Sequence, residues 1–135
     1  MARHMKTVLP IIAGAICGYG AMVVLIALVQ ETWFGGIRWG VTPLGTLLVA
    51  GFFTMLAAAV GAVLATAIAR SHRRVPALIM SLLVAIETTT LVVTGRVGGP
   101  LWFDVLAALS LVVAILIGAE LFLRHVASRH EPPAE

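Results

Sequence analysis

Four long blocks of apolar residues, separated only by short polar stretches, leave this chain little choice of fold. They run from Thr7 to Val29, from about Pro43 to Ala69, from Pro76 to Thr94 and from Leu101 to Leu123. Each reaches or approaches the ~20 residues that cross a hydrocarbon core of ~30 Å at 1.5 Å per residue. A spanning β-strand would alternate apolar and polar residues, and these blocks do not, so helices are expected. Charge excludes water as the solvent. Only 11% of the residues are Asp, Glu, Lys or Arg, against about a quarter in a soluble domain. The expected fold is all-α: a single domain over residues 1–135, an integral membrane bundle of four transmembrane helices. Residues 124–135, ending in "SRHEPPAE", are expected to form a short disordered cytoplasmic tail.

Proline and basic residues refine this picture. Pro43, Pro76 and Pro100 stand at or just before helix starts, where a missing N–H costs little. Pro10 lies within the first turns of the first span and should cause at most a mild irregularity. That first block is too long for the h-region of a cleaved signal and lacks an A-x-A site, so it is expected to be retained. Arg3 and Lys6 precede the first span, Arg70, Arg73 and Arg74 join the second to the third, and Arg124 and Arg129 follow the fourth. Of the nine Lys and Arg residues only Arg38 and Arg96 fall on the other side. The positive-inside rule therefore places both termini in the cytoplasm. The Ala, Val, Leu and Arg content resembles that of a bacterial inner (cytoplasmic) membrane protein.

Most motifs have a structural reading beside a functional one. The three tryptophans, Trp33, Trp39 and Trp102, all fall on the outer side. They suit an aromatic belt at the headgroup level, or a ligand lid made from the Gly-containing loop "ETWFGGIRWGVTP". The basic loop "SHRRV" fixes topology or meets anionic headgroups. Gly14 and Gly18 form a G-x-x-x-G, and Gly61, Ala65 and Ala69 carry small-residue spacing along the second span. Such stripes let helix backbones approach closely, within the bundle or against a partner. Glu120 and Arg124, at i and i+4, are expected to pair at the membrane interface. Asp104 suits the first turn of the fourth helix, with Arg96 across a short loop as its expected partner. The histidines (His4, His72, His125 and His130) have no zinc-site spacing, the single cysteine, Cys17, cannot form an intrachain disulfide, and no nucleotide or hydrolase fingerprint occurs. No metal, cofactor or nucleic-acid partner is expected.

Glu87 is the exception. In "LLVAIETTTLVVTG" it lies roughly 16 Å into the membrane from Pro76, slightly past the midplane. A carboxylate there costs on the order of 2.5–3.5 kcal/mol on insertion scales, so it should face the bundle or water and find a partner. Tyr19, at nearly the same depth in the parallel first span, and Thr90, at i+3, are the candidate neighbours, with Thr94 continuing the face. The pair serves either as polar glue between helices or as a proton or cation relay.

From Gly51 onward, the Ala/Gly-rich span ending in "AIARSHRRVPAL" and the "GGPLWFD" that opens the last span resemble small four-helix bacterial membrane proteins of unassigned function. That resemblance implies a fold and no activity. Small multidrug transporters carry their essential Glu in the first span, where this chain has none. "PLGTLLVAGFF" is slightly similar to fluoride channels but lacks their polar asparagine and the later threonine–phenylalanine track. Two functions follow as expectations. One is a non-catalytic accessory or scaffold subunit packing against itself or a larger membrane complex. The other is a small proton- or cation-coupled transporter or channel that uses Glu87.

Overall fold

The computed structural model describes residues 2–38, 40–69, 72–96 and 99–129. Among them the chain is entirely helical: α1 (Ala2–Ala27), α2 (Leu44–Ile68), α3 (Val75–Val93) and α4 (Leu101–Ser128), with a π-helical turn over Leu28–Trp33 extending α1. All four helices are long and apolar enough to cross a membrane, the pattern of a multi-pass membrane protein. Trp39, Arg70 and the tail from His130 onward lie outside the described residues.

Local chemistry sets the helix ends. Pro43 and Pro100 precede α2 and α4 in extended conformation, and Pro76 occupies the first turn of α3. These are the places where a residue without an N–H leaves no helical bond unmade. At the end of α3, Gly95 takes φ +66°. Its N–H returns to the Val92 carbonyl while that of Arg96 returns to Leu91, which caps the helix in a Schellman arrangement. Pro10 leaves α1 unbroken. Two boundaries differ from expectation. The first helix continues past Val29 by widening into the π-turn, closed by the Gly36 N–H on the Gln30 carbonyl. α4 runs to Ser128 rather than Leu123, so Arg124 to Ser128 are helical and not part of a disordered tail.

Around the bundle the order is α1, α2, α4, α3, with α3 closing back on α1. α2 and α3, consecutive in sequence, therefore sit on a diagonal and touch only lightly, while α1 and α4 make no contact among the described residues. The bundle interior is made of small residues. Ala58, Ala62, Ala65, Ala77 and Ala119 are buried, and the largest fully enclosed side chains among the described residues are Met80, Ile115, Thr66 and Pro76. Leucines, valines and phenylalanines, among them Leu48, Phe52, Leu82 and Leu121, face outward. A soluble protein shows the reverse order. An exterior richer in large apolar groups than the interior matches a lipid solvent, which supplies no hydrophobic drive and rewards close backbone contact instead.

The closest contact is the seam of α1 and α2. Gly14 faces Ala65 and Ala69, and Gly18 faces Gly61 and Ala65. A Cβ placed on Gly61 would lie 2.6 Å from the Gly18 carbonyl oxygen, closer than any carbon can approach. The expected small-residue stripes thus meet each other inside the bundle and are not free to receive a partner. A second close approach was not anticipated: a Cβ on Gly118 would lie 2.7 Å from the Ala59 carbonyl oxygen of α2.

Candidate functional site

α1 and α3 run parallel, and this brings Tyr19 and Glu87 together. The Tyr19 hydroxyl donates a hydrogen bond to Glu87 Oε2. Glu87 stands roughly 18 Å along α3 from Val75, at 1.5 Å per residue. The seam beneath it is apolar: Val84 and Met80, one and two turns back on α3, are buried in the core of the bundle. Glu87 itself is exposed on the outside of the bundle. Flanking it are apolar side chains that also face outward, Ile12, Ile16 and Val23 on α1 and Leu83 and Leu91 on α3. This is an apolar ridge with one acid–phenol pair at its centre.

Three of the threonines after Glu87 serve the helix instead. Thr89, Thr90 and Thr94 donate to the carbonyls of Ala85, Ile86 and Thr90, each one turn back. Such back-bonding satisfies a hydroxyl in an apolar setting. Thr90 is therefore a neighbour of Glu87 in sequence and not its hydrogen-bond partner.

Of the two expected ion pairs, one forms. Arg124 Nε lies 3.4 Å from Glu120, and Arg74 at the start of α3 lies closer, at 3.1 Å. Arg74 was missed because the pairing joins elements far apart in sequence. All three groups are well exposed, so the cluster adds little stability. Arg96 and Asp104 form no ion pair: Arg96 is exposed, and Asp104 Oδ2 is buried without a hydrogen-bond partner.

Asp104 instead lines a cavity of about 410 Å³ at the end of the bundle that carries the α1–α2 loop, together with Ile37, Arg38, Val41, Leu47, Gly99 and Phe103. Two more open beside it. One, of about 270 Å³, reaches down between α2 and α4 past Thr54 and Ser110. The other, of about 420 Å³, is framed by Gln30, Glu31, Arg38 and Thr42. Ile37 lines all three. Trp33 and Trp102 line none of them and are largely exposed, with Trp33 edge-on to Phe53 of α2 at 5.3 Å between ring centroids, which suits an aromatic belt. Among the described residues no three His, Cys, Asp or Glu side chains converge as a metal site.

Comparison with protein families, with curated proteins and with solved structures finds no match to this chain.

Proposed function

We propose that this protein is a non-catalytic accessory or scaffold subunit of a bacterial inner membrane, which docks another transmembrane helix on the Tyr19–Glu87 ridge. The observation that carries this reading is the outward-facing carboxyl of Glu87 in the middle of an apolar span, bonded to Tyr19. Left against lipid, a carboxylate at that depth costs on the order of 2.5–3.5 kcal/mol on insertion scales. A helix laid over the ridge removes that cost and supplies the group with a second hydrogen bond. The small-residue stripes give no support to docking, since α1 and α2 consume them on each other. The partner is a second copy or a helix of a larger complex.

Photo-crosslinking tests this directly. A crosslinker at Ile16 or Leu83 should capture a membrane partner in native membranes, whereas one at the exposed Leu106 or Leu121 of α4 should capture far less. Equal capture from both faces, or none from the ridge, would rule the docking face out.

The orientation has both termini in the cytoplasm, supported by the distribution of Lys and Arg. Reporter fusions at Arg38 should read as external and those at Arg73 as cytoplasmic. A cytoplasmic signal at Arg38 would invert the assignment. Under the alternative, a proton- or cation-coupled carrier, Glu87 would line a path between subunits, because the cavities within one copy described above are not lined by it.

A further inference from the structure

The cavity at the α1–α2 loop end is independent of the Glu87 ridge and holds two charged side chains of opposite sign. The backbone of Arg38 is held at its edge by a turn. Its N–H donates to Thr42 Oγ1 at 3.0 Å, its carbonyl accepts from the N–H groups of Val41 and Thr42, and Gly40 at φ +77° permits the reversal. Asp104 is fixed by the first turn of α4. Both line the same cavity, yet among the described residues the only ion pairs are those of Glu120. Asp104 also leaves one carboxylate oxygen, Oδ2, buried and unbonded, an unfavourable condition for a carboxylate unless a donor is supplied. Ile37, Leu47 and Phe103 add apolar surface to the lining of the same cavity. The volume, about 410 Å³, falls within the range of small-molecule sites.

A simple cation would be opposed by Arg38 and a simple anion by Asp104. A molecule carrying both charges satisfies both. We propose that this cavity binds an amphoteric group with a primary ammonium and a phosphate, the ammonium donating to Asp104 and the phosphate accepting from Arg38. The apolar part of the lining then packs against the short carbon chain between them. The chemistry has two sources, a free aminoalkyl phosphate or the headgroup of an ethanolamine phospholipid. The lower cavity between α2 and α4, which shares Ile37, Leu47 and Phe103 with the upper one, would take the first part of a lipid chain.

The test uses the full chain in mild detergent and in nanodiscs. Phosphoethanolamine is titrated against the detergent-solubilised protein by calorimetry. In parallel, nanodiscs of mixed ethanolamine and choline phospholipids are followed by native mass spectrometry. Binding of free phosphoethanolamine, at least tenfold tighter than ethanolamine or phosphocholine, supports the site with a soluble ligand. Selective retention of the ethanolamine phospholipid without binding of the free compound supports it with a lipid ligand. In either arm Asp104→Asn and Arg38→Gln should each weaken binding at least tenfold, and the remote Glu87→Gln should not. The ligand comparison on the unaltered chain needs no variant, so a misfolded mutant does not blunt it. Neither form binding, or choline compounds binding as well as ethanolamine ones, would overturn the proposal.

Discussion

Gly18→Leu should separate α1 from α2 and cost the bundle about 3 kcal/mol or more, the upper end for overpacking a closely fitted interior. Even the first carbon of the new side chain would stand 2.5 Å from the Gly61 carbonyl oxygen and from the Ala65 Cβ. Backbone cannot rotate away as a long side chain can, so the helices must move apart and lose the dispersion contacts that join them in lipid. Gly20, on the same helix, has no atom within 4 Å of its would-be Cβ. Gly20→Ala should therefore be neutral or stabilising by up to about 1 kcal/mol, the usual gain of alanine over glycine in a helix. Unfolding in mixed micelles, or thermal loss of the monodisperse peak in detergent, measures both. A Gly18→Leu protein as stable as Gly20→Ala would mean that the α1–α2 seam is not the close contact described.

That contrast shows what was legible beforehand. The spans were legible because lipid demands long uninterrupted apolar helices, and the prolines marked where α2, α3 and α4 begin. The spacing of Gly14, Gly18, Gly61 and Ala65 announced close packing, but spacing is silent on whether the second surface belongs to the same chain. Only the antiparallel register of α1 and α2 answers that. Glu87 and Tyr19 were matched by depth, which a straight helix converts directly from residue count. Thr90 failed as a partner because a threonine in a helix reaches its own preceding turn more easily than a neighbouring carboxyl. Whether Glu87 faced inward depended on the helix order around the bundle. That order places α2 and α3 on a diagonal, and no local pattern encodes it. The joint cavity of Arg38 and Asp104 was hidden for the same reason: it joins the α1–α2 loop to the first turn of α4, far apart in sequence, while Arg96 is the basic residue nearer to Asp104 along the chain.

The outward position of Glu87 reverses what its replacement by leucine should do. In a dry interior Glu87→Leu would strand the Tyr19 hydroxyl and weaken the fold. On the surface, the lone chain loses one interhelical bond, worth roughly 0.6–1.7 kcal/mol in membranes. It also sheds a carboxyl whose exposure to lipid costs on the order of 2.5–3.5 kcal/mol. The isolated Leu variant should therefore be as stable as the parent or more so, while its partner, or its own oligomer, is lost from native purification. Glu87→Gln keeps the length and the bond to Tyr19, and should retain the partner. These two outcomes together separate docking from general stability, because the variant that binds worst folds at least as well. If the Leu variant co-purifies with its partner as the parent does, the ridge is not the docking surface. If Glu87→Gln keeps the assembly intact but abolishes proton-dependent solute uptake in vesicles, the carboxyl is a proton carrier, since an amide cannot cycle between charged and neutral forms.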